Sequence, residues 1–354
     1  MAGTDDRSAE FEALRNLSTR VGADPLLVQA AGGNTSVKQD DVLWIKASGT
    51  WLMNAGRDEI FVPVRLPPLL RAVADVDPAA EKAEAFVVAE LNPGGLRPSI
   101  ETTVHALMPQ RVVVHVHCVE TISLAAQANA EALIGERLKG LDWAFVPYCR
   151  PGLPLARAIA ERRSAATDIL VLGNHGLVVA ADTVAQAETL LGRVCGLLAR
   201  TPRAAPEPDT DALVRLAAGS DYRLPAKPEA HAVATDLQSC RIAAAGTLYP
   251  DHVIFLGEGS VIAGPADTAA SAAERAMAEG RDAPVEILFP GKGVLLRRDA
   301  NAGAEALARC LADVTARVDG EVRYLTAQDA HQLINWDAEK YRQELTRRMS
   351  ARLQ

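Results

Sequence analysis

The stretch Val112–Leu124 reads VVVHVHCVETISL. Its opening residues, Val112–Val116, have the valine content of a strand buried on both faces, yet His115 interrupts them and His117 follows directly. Alternation along a strand puts both imidazoles on one face, about 7 Å apart. Apolar packing has no use for a pair of imidazoles. They predict a core strand that ends in a polar cleft.

The rest of the chain frames that strand. It has 354 residues, 49% hydrophobic and 23% charged, with a formal net charge of -8. The length predicts two domains with real cores, and the mix is that of an ordinary globular protein. The acidic balance, without a cluster of Lys and Arg, predicts no nucleic-acid partner, while a local pocket can still be positive and take an anionic small molecule. The first residues have no basic and apolar leader, and no apolar run reaches membrane length. The five cysteines are scattered without a CxxC pair, the usage of reduced thiols. The expectation is a cytoplasmic protein with no membrane partner.

Helical periodicity marks Asp6–Ser18, and a short helical stretch is expected to begin at Pro25–Gln29. AAGGNTSVKQDDVLWIKASGTWLMNA (Ala30–Ala55) reads as loop, strand, turn and strand. A helix capped by Ser99 or Thr103 should run towards Met108, another should span Val119–Leu133, and a third should start near Asp182 or Thr183. TPRAAPEPDTD (Thr201–Asp211) carries three prolines and reads as a linker. This divides the chain into domains 1–200 and 211–354, joined by 201–210.

The second domain looks like a degenerate copy of part of the first. DILVLGNHGLVVAADTVAQAETLLGRV, from Asp168, matches EILFPGKGVLLRRDANAGAEALARCLADV, from Glu286, in strand, turn, strand and helix. ALMPQRVVVHVH likewise matches TLYPDHVIFLGE. This register carries His115 onto Leu256, His117 onto Glu258, His175 onto Lys292 and Glu101 onto Ile242. The second copy should therefore bind no metal and serve a structural purpose.

His175 lies in the Gly-flanked turn GNHG, so three imidazoles are available to a divalent ion, and Zn²⁺ suits them. Three further loops, GGNTS (Gly32–Ser36), ASGT (Ala47–Thr50) and RPS (Arg97–Ser99), combine glycine or proline with hydroxyl and amide groups that can meet an anion. The order Gly33-Asn34-Thr35-Ser36, Ser48-Gly49, Pro98-Ser99-Ile100-Glu101, His115-x-His117, Tyr148 and Asn174-His175-Gly176 resembles the class II aldolase/adducin family, which includes the L-fuculose-1-phosphate aldolases. RPSIET, PGLPLA and INWDAEKYR are similar to the aldolase half of bifunctional rhamnulose-phosphate aldolase/alcohol dehydrogenases; no GxGxxG nucleotide fingerprint accompanies them.

The resemblance implies a layered α/β/α fold with a mixed central sheet. It implies Zn²⁺ on His115, His117 and His175, with Glu101 as catalytic acid/base and resting-state ligand. Gly33, Asn34, Ser48, Gly49 and Ser99 fall on positions that bind the phosphate of a small sugar-phosphate substrate. Tyr148 falls where a neighbouring subunit supplies the proton for the aldehyde oxygen, which implies a homo-oligomer. Ile100 departs from the pattern, since the aldolases often have a second serine there. The activity implied is reversible cleavage of a phosphorylated ketose to dihydroxyacetone phosphate and an aldehyde. A sugar-phosphate epimerase or dehydratase on the same site, and a non-catalytic adducin-like scaffold, are the competing readings.

Overall fold

The computed structural model describes residues 3–335. The end of INWDAEKYR and the C-terminal helix expected there, from Trp336 on, lie outside the described residues. The N-terminal half has strands β1 (Asn34–Gln39), β2 (Val42–Lys46), β3 (Phe61–Arg65), β4 (Val112–Val116), β5 (Trp143–Val146), β6 (Ile169–Leu172) and β7 (Gly176–Ala181). They form one sheet in the order β3-β2-β1-β4-β7-β6-β5, in which β5 and β6 are parallel and every other pair is antiparallel.

Helices α1 (Gly3–Ala23), α2 (Leu66–Ala74), α3 (Thr102–Leu107), α4 (Val119–Ala125), α5 (Ala130–Arg137), α6 (Leu153–Arg162) and α7 (Val184–Leu198) cover the sheet. Val112, Val114 and Val116 pack with Leu14 and Leu17 of α1 and Leu191 and Val194 of α7. Val113, on the opposite face of β4, packs with Val104 of α3 and Leu155 and Ile159 of α6. The sheet is therefore the middle of three layers, as expected. β4 is apolar because both its faces are core.

Local chemistry explains several boundaries. Thr183 accepts from the Gln186 backbone N–H while the Gln186 side chain reaches back, a capping box that starts α7. At Pro25–Gln29 the expected helix is a single turn: the Asp24 carbonyl accepts the Leu27 and Val28 N–H groups, and the chain then makes a separate turn closed by Gly32 N donating to Gln29 O. The helix expected over Val119–Leu133 is two, α4 and α5. At the break between them Ala126 O accepts from Arg323 N and Ala128 N donates to Glu321 O, both at 2.8 Å. Pairing with a remote segment wins over helical continuation there.

The C-terminal half has α8 (Thr210–Ala217), β8 (Tyr222–Arg223), α9 (Ala232–Thr235), α10 (Leu237–Ala245), α11 (Pro250–Leu256), β9 (Val261–Ile262), α12 (Ala269–Ala278), β10 (Glu286–Phe289), β11 (Gly293–Arg297), α13 (Ala302–Thr315) and α14 (Ala327–Ile334). Its sheet runs β8-β11-β10-β9, with only the β10–β9 pair parallel. That is the order and pairing of β4-β7-β6-β5, and the matched GNHG and PGKG turns both join hairpins.

The other half of the expected register is corrected. TLYPDHVIFLGE matches the histidine strand in sequence, but its centre forms helix α11. The topological counterpart of β4 is β8, where Arg223 faces Leu296 as Val114 faces Val179. One residue further on, Leu224 takes the place of His115. The mismatch has a simple cause: PDHVIFL is largely apolar, and such a run suits a buried strand or a buried helix equally.

Residues 201–209 form no helix or strand, but they are not a free tether. Arg203 N donates to Ala316 O, and its guanidinium bonds Asp236, Ser239 and the Thr315 carbonyl. Val119 and Ile122 of α4 share one apolar cluster with Val233, Tyr249, Phe255 and Leu307. Across this joint the nearly enclosed Arg317 guanidinium donates to Glu120 at 2.8 Å, while Arg200 N donates to the other Glu120 oxygen. Glu120→Ala leaves the buried guanidinium without that carboxylate. It should lower the unfolding free energy measured in urea by about 3 kcal/mol, since removing one partner of a buried pair strands the other.

Candidate metal centre

Antiparallel pairing puts the end of one strand beside the start of the next. His115 lies near the end of β4 and His117 just beyond it, while His175 immediately precedes β7, the neighbour of β4. Asn34, the first residue of β1, lies opposite His115 on the other side. The three imidazoles thus meet at one edge of the sheet, with ring centroids 5.0, 5.1 and 5.2 Å apart. Close approach is achieved at glycine: a Cβ on Gly32 would stand 2.7 Å from His117 Nδ1. Asn174 holds the turn before His175 in the left-handed region, φ 52, a conformation asparagine tolerates.

Glu101 completes the group from the residue preceding α3. Its carboxylate oxygens lie 3.3 Å from His115 Nε2 and 3.3 Å from His175 Nε2. The potential ligand atoms of Glu101, His115, His117 and His175 all lie within 4.8 Å of one another, and all four residues are buried. A tetrahedral ion with bonds of about 2.0–2.1 Å sets its ligands about 3.4 Å apart. Glu101 Oε1 and His115 Nε2 are enclosed atoms with no hydrogen-bond partner, and both face the centre of the cluster. Buried polar atoms left this way require an explanation. A bound cation is one that the spacing fits.

Burial favours the neutral imidazole, pushing His175 down to about 3 and lowering His115 and His105. Burial also pushes the Glu101 carboxyl up, but the imidazoles of His115, His175 and His117 and the Asn34 amide outweigh it, leaving a net lowering. Neutral imidazoles beside a carboxylate are the protonation states a metal requires.

A second set of bonds orients Glu101. The Asn34 amide donates to Glu101 Oε2 at 2.8 Å and to Ser99 Oγ at 3.1 Å. Asn34 Oδ1 meets His105 Nε2, so that nitrogen is the donor. His105 Nδ1 must then accept the Ser36 hydroxyl, 2.7 Å away. Both amide hydrogens of Asn34 are thus engaged by Glu101 and Ser99, and the residue also lines the cavity beside Glu101.

Gly33, Ser48, Gly49 and Ser99 do line the cavity beside Glu101, with Lys46, His117, His175 and, from the C-terminal half, Pro250 and Asp251. This cavity has a volume of about 30 Å³, room for roughly one water. Ser48, Ser99 and Ile100 also border a chamber of about 1010 Å³, lined by Lys82, Arg97, Arg150 and His331. Tyr148 is not brought to the centre. It lines a separate cavity with Asn174 and Arg323.

Three residues at the site were not singled out from the sequence. Lys46 ends β2 buried, its ammonium on Ala31 O at 2.9 Å; a lysine closing the run VLWIK was the available signal. His105 sits in TTVHALM, where only its place on a buried helix gives it meaning. Asp251 had no local signal at all.

Residues 18–194, half of the chain, match the family model of the class II aldolase and adducin N-terminal domain, and the protein belongs to that family. Over 180 residues it is 31% identical to an uncharacterized oxidoreductase, YuxG, of Bacillus subtilis (strain 168), in an alignment covering 47% of this chain and 26% of that one. The chain thus spans about a quarter of the length of this curated relative. Among solved structures, the N-terminal class II aldolase domain of a conserved protein from Thermoplasma acidophilum is 28% identical, covering 52% of this chain and 90% of that chain, with TM-score 0.45. L-fuculose-1-phosphate aldolase from Thermus thermophilus is 18% identical, covering 54% and 93%, with TM-score 0.36.

No other group of three or more His, Cys, Asp or Glu suited to a metal occurs among the described residues. No helix among them is long and apolar enough to cross a membrane. The pure protein should carry one divalent ion per chain by elemental analysis. His115→Ala combined with His117→Ala should abolish it, while two retained ions per chain would place a site elsewhere.

Proposed function

We propose that the protein is a zinc-dependent aldolase that reversibly cleaves a phosphorylated ketose, of the rhamnulose- or fuculose-1-phosphate kind, to dihydroxyacetone phosphate and an aldehyde. The observation that carries this reading is Glu101: a buried carboxylate oriented by Asn34, touching two imidazoles and lining a cavity that shares Ser48, Ser99 and Ile100 with a chamber of substrate size. Zn²⁺ on His115, His117 and His175, with Glu101 in the resting state, would supply a Lewis acid for the substrate's carbonyl oxygen.

The protein's own groups do the rest. In cleavage the C3–C4 bond breaks, its electron pair stays with the ketose fragment, and Glu101 delivers a proton to that carbon. The C4 hydroxyl becomes the aldehyde and gives up its proton. Because Tyr148 stands outside the cavity of its own chain, this reading assigns that second proton transfer to Tyr148 of the partner subunit in a homo-oligomer. Ser48 and Ser99, with the backbone at Gly33 and Gly49, hold the phosphate and position the carbon chain. Ile100 lines both the cavity and the chamber and offers no hydroxyl, so it contributes shape rather than a bond.

The test is a panel of ketose 1-phosphates offered to zinc-loaded protein, with released dihydroxyacetone phosphate measured directly. An epimerase or dehydratase releases none, and a scaffold converts nothing. On the substrate found, Glu101→Gln should lower kcat by about 10²–10⁴-fold, the range for losing a general acid/base, with folding intact. Comparable activity in the variant would remove Glu101 from the mechanism.

A further inference from the structure

Asp251 reaches the metal centre from the far half of the chain. It is the second residue of α11, the segment whose sequence resembles the histidine strand. Its Oδ2 lies 3.0 Å from His117 Nδ1, and the side chains are 3% and 7% exposed. Burying a carboxylate costs several kcal/mol unless bonded partners compensate, and here one partner is an imidazole of the cluster. The contact also makes a choice. A neutral histidine has one N–H and one lone pair. At 3.0 Å the carboxylate oxygen is within reach of a proton on Nδ1, and a proton held there would leave the lone pair on Nε2, free for an ion. His115 is set in the same sense, with Nδ1 on Leu177 O at 3.0 Å and Nε2 towards Glu101.

We infer that Asp251 is a positioning residue for the metal centre: it fixes the ring orientation and tautomer of His117, so that the C-terminal half completes a site whose ligands all lie in the N-terminal half. The same half also grips the turn that bears His175. The Asn174 amide donates to Leu248 O at 2.9 Å and to Arg323 O at 2.6 Å, and Leu248 lies just before α11. Two of the three histidines are thus steadied by one docked segment. The C-terminal half holds none of the four candidate ligands and supplies their support instead. The inference rests on reading Glu101, His115, His117 and His175 as a metal site, and the test separates the two claims.

Metal-free full-length protein, its Asp251→Asn variant and its Asp251→Ala variant are titrated with Zn²⁺ against a chromophoric chelator, and with Co²⁺ while the visible ligand-field bands are recorded. Wild type should bind one equivalent. Asp251→Ala should bind about 10–100-fold more weakly, the usual effect of removing a carboxylate behind a ligating histidine. Asp251→Asn, which keeps an acceptor oxygen, should lose less, and both should shift the Co²⁺ bands. A merely structural role would lower the melting temperature of the metal-free variants and leave the spectrum of the bound ion unmoved. Selective ¹⁵N labelling of histidine in the metal-free wild type gives a reading that needs no variant: His117 should carry its proton on Nδ1. The opposite tautomer, or variants that fold and bind like wild type, would overturn the role of Asp251 alone. No binding by wild type would overturn the metal reading and this inference with it.

Discussion

The antiparallel pairing of β4 with β7 is the constraint from which the site follows. It sets Val116 opposite Leu177, so the chain leaving β4 and the chain arriving at β7 lie side by side. Three imidazoles then share one edge of the sheet without any loop having to be long or strained. The same pairing explains the glycine at 176: a Cβ there would collide with Val116 O and crowd His115. β1, on the other side of β4, brings Asn34 level with His115 and so within reach of Glu101. A slip of one residue between β4 and β7 would turn His115 into the apolar layer and Val114 or Val116 into the cleft. Register, here, is a chemical specification as well as a structural one.

How much of this could be read from residues alone depends on how far each contact reaches. His115, His117 and His175 were legible because a strand pattern and a glycine turn state their exposure locally, and Glu101 because it stands among small polar residues in a fixed order. The layered α/β/α arrangement was legible through the family resemblance, and the valines of β4 agree with it by packing against a core on each side. Asn34 was legible as a site residue, but not its bond to Glu101, which depends on where Ser99 and Glu101 stop, and that is set by the packing of α3. The single helix expected from Val119 to Leu133 failed for a related reason, since the carbonyl at Ala126 and the N–H at Ala128 are claimed by residues near 322. Asp251 was illegible because nothing in LYPDHV announces a carboxylate that will be buried against a histidine on another element.

The two halves resemble one another in what they keep. The pairing pattern β8-β11-β10-β9 repeats β4-β7-β6-β5, and each hairpin is followed by a helix that closes its layer. The strands of the second sheet are shorter, with β8 and β9 only two residues each. So short a sheet supplies little independent stability. Its apolar face is instead continued through α4 of the first half in a single cluster, so the two sheets need not be stable apart.

Charge supplies the last connection between the halves. A divalent ion held by His115, His117, His175 and Glu101 would retain a net positive charge in a place from which water is largely excluded, and an isolated buried charge is expensive. Asp251 brings a second carboxylate to the edge of that cluster, so that the ion and the two carboxylates sum to zero. One segment of the C-terminal half can therefore bear on both the orientation of His117 and the charge of the cluster.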